Sequence, residues 1–80
     1  MESRNVQGRH EVDFVIASGR RCLAIEVKGA GRFGERDLAG LRAFRERTSG
    51  LLAGVLAYNG TEVISLGDRL LAVPLGLLLA

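Results

Sequence analysis

Apolar and polar residues alternate along the early part of the chain. Glu11, Asp13 and Val15 fall on one side and Val12, Phe14 and Ile16 on the other, the period-two pattern of a half-buried strand. The pattern resumes with Leu23, Ile25 and Val27 on an apolar face and Ala24, Glu26 and Lys28 on the opposite one. Between the two runs lies Ala17-Ser18-Gly19-Arg20-Arg21, where Gly19 at the first central position suits a two-residue type II′ hairpin turn. That turn pairs Ser18 with Arg21. Counting outward sets Asp13 opposite Glu26 and Glu11 opposite Lys28, with directly opposed Cβ atoms about 5 Å apart.

Residues 29–34, rich in glycine, read as a loop. In residues 35–48 the spacing of Leu38, Leu41 and Phe44 gives one apolar stripe, acidic residues lie near the start and Gly50 offers a stop, which predicts a helix. Residues 51–58 are nearly all apolar, as in a strand buried on both faces. Asn59-Gly60 is a strong hairpin signal, so residues 61–66 are expected to fold back beside that strand. Gly67-Asp68 suggests another turn before a last extended piece, residues 69–73, and Pro74 begins either a short helix or a tail. A strand-helix-strand unit implies a crossover that sets the third strand parallel to the second. The expected fold is α/β: a mixed sheet of about four strands in chain order, built as antiparallel hairpin, helix crossover and antiparallel hairpin. It occupies one domain, residues 10–80, behind a flexible polar lead, residues 1–9.

Composition narrows this picture only a little. With 48% apolar and 25% charged residues in 80, the chain is an ordinary globular protein with a thin core. A formal charge of +2 does not by itself imply nucleic-acid binding. The longest apolar run, residues 70–80, is interrupted by Pro74 and too short to span a bilayer, so no membrane partner is expected. Cys22 stands alone and cannot form an internal disulfide, which suits a reducing, cytoplasmic setting. The basic residues are ten arginines and a single lysine, Lys28. Lysine is a compact point charge on a flexible stem, so its placement at one strand position bears on chemistry.

An aspartate on one strand and Glu-x-Lys on the next, all on one face, suits metal-assisted phosphodiester cleavage. Two carboxylates hold a hard cation, which activates a bound water, and the lysine orients that water or meets charge developing on phosphate. The segment from Glu11 to Ile16 followed by Ala24-Ile25-Glu26-Val27-Lys28 resembles the core motif of the PD-(D/E)xK, restriction-endonuclease-like superfamily. More closely, the stretch from Gly8 through residues 37–44 to Pro74-Leu75 resembles the C-terminal domain of unknown function in bacterial AAA-type ATPases. The resemblance implies a truncated restriction-endonuclease-like core in the C-terminal part of an ATPase-associated protein. It implies Asp13 and Glu26 as ligands of Mg2+ or Mn2+, Lys28 as the catalytic lysine, and DNA and an ATPase domain as partners. The P-loop pattern Gly-x4-Gly-Lys-Ser/Thr is absent from these residues, so ATP hydrolysis is not implied.

Simpler readings stand beside these. Alternating charges on a strand often mark only a solvated face, and Lys28 is able to neutralise two opposed carboxylates without any metal. The same fold then serves as a catalytically inactive interaction or dimerisation domain. His10 reads as a surface or turn residue. Arg32 and Arg36 are candidate phosphate contacts, whereas most helix arginines read as a solvated surface, with Arg42 placed to pair with Glu46. An uncovered edge on the first hairpin strand suggests a homodimer, formed through that edge or through residues 70–79. The decisive structural expectation is register: Asp13 and Glu26 must be cross-strand neighbours, and carboxylates on opposite sheet faces would remove the site.

Overall fold

A computed structural model describes residues 2–4 and 12–80 of the chain. The first hairpin forms as its turn chemistry dictates. Strands β2 (Phe14–Ser18) and β3 (Arg21–Lys28) pair antiparallel with Ser18 opposite Arg21, around a Gly19 at φ +62°. Residues 2–4 of the polar lead form β1 (Glu2–Arg4), which pairs antiparallel with β2. The edge expected to lie open is therefore occupied, and with it goes the reason for a dimer formed through that edge.

Helix α1 (Glu35–Arg47) starts where glycine gives way to acidic residues. At its N-terminus the Asp37 N–H donates to the Gly34 carbonyl at 2.9 Å, and Asp37 Oδ2 accepts the Gly34 N–H at 2.8 Å. Glu35 and Asp37 in the first turn and Arg45 and Arg47 in the last complement the helix dipole. Arg42 pairs with Glu35, 2.6 Å away, rather than with Glu46, and Arg45 donates to the Asp68 carbonyl at 3.0 Å. The helix leads into β4 (Leu51–Tyr58), parallel to β3, as the crossover requires.

Beyond β4 the order departs from expectation. Strand β5 (Ile64–Gly67) does not pair with β4; instead β6 (Leu70–Pro74) lies parallel beside β4 and β5 forms the outer edge, giving β1-β2-β3-β4-β6-β5. The mixed sheet thus has six strands rather than about four. Burial explains the choice. The interior position goes to the strand carrying Leu70 and Ala72, both fully buried, while β5 is mostly exposed. Asn59-Gly60 becomes a connection and not a hairpin turn: the Asn59 N–H is taken by Ala30 O at 2.9 Å, and the Tyr58 hydroxyl donates to Glu62 O at 2.6 Å. The hairpin signal that does fold is Gly67-Asp68, with Gly67 at φ +123° and Arg69 at +59°. Pro74 caps α2 (Leu75–Leu79), the helical alternative of the two expected.

Register places the side chains in rows. Val15, Ala24, Gly54 and Leu70 lie in one row across four strands, and Glu26, Leu56 and Ala72 in the next. This face carries the core, closed by Leu38, Leu41 and Phe44 of α1. The face expected to be the apolar one, with Leu23, Ile25 and Val27, is the one α1 leaves uncovered: Phe14 is 45% exposed and Val27 42%. A helix approaches closely only over small side chains, and Ala24, Gly54 and Ala72 supply them. A Cβ on Gly54 would lie 2.8 Å from Leu70 Cδ2 and 3.3 Å from Leu41 Cδ2. Gly54→Ala is accordingly expected to destabilise the fold by about 1–3 kcal/mol through overpacking. Urea unfolding checks this, and an unchanged midpoint would show that α1 is not seated on that row.

Candidate functional site

Asp13 sits just before β2, where the hairpin register continues past Phe14 opposite Ile25. Its backbone N–H donates to Ile25 O at 3.1 Å, and its Oδ2 accepts the Val27 N–H at 2.8 Å. These two bonds bracket Glu26, so the two carboxylates are cross-strand neighbours on the helix-covered face. The register expected from the Gly19-Arg20 turn is met.

Glu26 is half-buried at the rim of the core. Its Oε1 is enclosed and has no hydrogen-bond partner among the described residues. Burial, followed by the negative charge of Asp13, pushes the Glu26 carboxyl from its usual 4.5 up to about 7. The nearness of the Asp13 side chain adds to this, and the Asp13 main chain partly offsets it. Near neutrality Glu26 is therefore protonated in about half of the molecules.

Lys28 lies two residues along β3. Its Nζ meets Asp37 Oδ1 at 2.9 Å, and Asp37 is held below its usual 3.8 first by the Gly34 N–H and then by Lys28. The ammonium is thus bound by the helix N-terminus, and Glu26 keeps its raised value beside it. Lys28 does not neutralise the Asp13–Glu26 pair as the metal-free reading expected. Asp37 was missed as a site residue, although its place three residues after Gly34 is a capping signal that puts a carboxylate at the helix start.

A cleft of about 550 Å³ adjoins this cluster, because Tyr58 on its wall is the register partner of Lys28. Phe33 meets Tyr58 edge-to-face at 5.2 Å, and Arg32, Thr61 and Glu62 supply polar lining. Arg32 lines this cleft, whereas Asp13, Glu26 and Lys28 do not. Arg36 is exposed on the first turn of α1, near enough to Asp37 to help hold it ionised. His10 and Glu11, the latter expected opposite Lys28, lie outside the described residues. Among the described residues no three of His, Cys, Asp and Glu gather as metal ligands. What the structure brings together is a pair of carboxylates, flanked by a Lys28–Asp37 ion pair.

The molecule is a mixed α/β domain with one helix over an acidic strand pair. By sequence it belongs to the family described as Domain of unknown function (DUF4143), which it matches over residues 4–78. No curated protein and no solved structure matches the chain. Among the described residues no helix is long and apolar enough to cross a membrane.

The raised Glu26 value fixes the sign of a pH effect. Between about pH 4.5 and 7 the native state holds a proton that the unfolded chain has released, so stability falls as pH rises through that window and levels off above it. Solvent screening at this half-buried rim limits the loss to about 1–2 kcal/mol. Glu26→Gln should flatten the decline. Unfolding midpoints at several pH values from 4.5 to 8 check this; a wild-type profile that rises across the window would contradict it.

Proposed function

We propose that this domain is a restriction-endonuclease-like module that binds a divalent cation, Mg2+ or Mn2+, between Asp13 and Glu26, and that acts on the phosphodiester backbone of nucleic acid. The observation that carries the reading is the enclosed Oε1 of Glu26, without a partner among the described residues and on a side chain next to a second carboxylate. Such an arrangement is costly unless a proton or cation compensates it. The hard oxygen donors fit these metals, which take carboxylates and keep several waters. A cation there would supply Lewis acidity and an activated water. The chain's own contribution is positional. Strand β3 fixes Glu26 and Lys28 on one face, the Val27 N–H orients Asp13, and Asp37 holds the ammonium 2.9 Å away at the helix start. Arg32 borders the adjoining cleft, where a phosphate-bearing strand would meet it. Family membership is consistent with a module working beside an ATPase domain.

A second reading, a catalytically silent interaction domain, draws on two observations. Lys28 is engaged by Asp37, and only two carboxylates form the pair.

Thermal melting and plasmid nicking separate the two. If the metal binds with a millimolar dissociation constant, 10 mM Mg2+ or Mn2+ stabilises the wild type by about 1.4 kcal/mol, a rise of several degrees in Tm. Glu26→Gln should abolish that rise and any nicking of supercoiled DNA. Lys28→Met, which keeps both carboxylates, should retain the rise and lose the nicking. A metal-dependent rise without nicking in the wild type selects the silent domain, and no rise at all contradicts the metal site.

A further inference from the structure

The sheet face opposite α1 is apolar across its middle. Phe14, Ile25, Val55 and Leu71 form one row over four strands, flanked by Ile16 with Leu23 on one side and by Val27 with Val73 on the other. No charged residue interrupts these rows. The central pairings, β3 with β4 and β4 with β6, are parallel, the kind whose two faces are ordinarily both covered, yet on this face Phe14 is 45%, Val27 42% and Leu52 52% exposed. Four strands about 4.8 Å apart and about five residues long project to roughly 300 Å² of apolar surface, the size of the largest apolar patch on an ordinary monomer, which is often a functional one.

We infer that this face is an interface between two copies of the chain, packed sheet against sheet about a two-fold axis lying between them. The face carries both halves of a self-complementary contact. Phe14 stands out from it, and a hollow of about 270 Å³ opens on it two residues along the same strand, walled by Ile16, Leu23 and Leu52. A two-fold operation brings each Phe14 to the partner's hollow, the reciprocal contact an isologous interface requires. With no charge on the rows, association strips water from apolar groups only, and Ser18 and Arg21 remain as a polar rim around the hollow. A patch of this size falls in the range of small, transient interfaces, below about 1,200 Å² in total, so the dimer is a weak one whose affinity rests on how Phe14 seats and not on area alone. This surface is on the far side of the sheet from Asp13, Glu26 and Lys28, so the inference is independent of the metal reading.

Sedimentation equilibrium of the full chain between 1 and 200 μM tests it. The wild type should pass from monomer to dimer within that range. Phe14→Glu and, separately, Leu52→Glu should shift the transition at least tenfold upward in concentration. Both residues are already exposed, so circular dichroism should show the fold retained; if one variant unfolds, the other decides. Leu79→Glu, an exposed position on α2, should leave the dimer intact. A wild type that stays monomeric at 200 μM, a dimer indifferent to both sheet-face changes, or one dissolved only by Leu79→Glu would each overturn the inference.

Discussion

A single thirteen-residue helix has to close the core of a six-stranded sheet. At 1.5 Å per residue α1 is about 20 Å long and about 10 Å wide, while six strands span about 24 Å. Coverage is achieved by bringing the helix close, which explains the small residues beneath it. Ala24, Gly54 and Ala72 let Leu41, Leu56 and Leu70 pack to complete burial. Two polar ties hold the ends of the helix. Arg45 reaches the β5–β6 turn through Asp68 O, and Asp37 reaches Lys28 on β3.

The chemistry sits where that cover begins. The N-terminus of α1 lies over the C-terminal end of β3, so Lys28 is paired with a helix carboxylate while Glu26, one step deeper, is enclosed with only Asp13 for company. Beyond α1 only the five-residue α2 packs against the sheet, on β4 and β6, and on the opposite face Phe14, Val27 and Leu52 stay exposed. Thus the position of one element accounts both for the compressed acidic pair and for the bare apolar surface behind it.

Much of this was legible along the chain. The hairpin register is local information, set by Gly19 and a period-two pattern, and the helix announces itself by Leu38, Leu41 and Phe44. Which face is buried was not legible. Leu23, Ile25 and Val27 are bulkier and more apolar than Cys22, Ala24 and Glu26, but the helix chose the face with small residues, a requirement of close packing that hydrophobicity alone does not reveal. The order of the last strands failed for a related reason: the burial of Leu70 and Ala72 against β4 outweighed the local turn signal of Asn59-Gly60. Asp37 was readable as a helix cap, but its reach to Lys28 depends on how the helix docks.

The central claim is that Asp13 and Glu26 form one half-buried site, with Glu26 Oε1 enclosed, whose charge must be compensated by a proton or a cation. Carboxyl-carbon NMR of the labelled full chain, titrated in pH with and without Mg2+, reads this directly. Without metal the Glu26 resonance should titrate near pH 7, and with saturating Mg2+ its midpoint should fall into the ordinary carboxylate range. A Glu26 resonance that titrates near 4.5 and ignores the metal would contradict the claim.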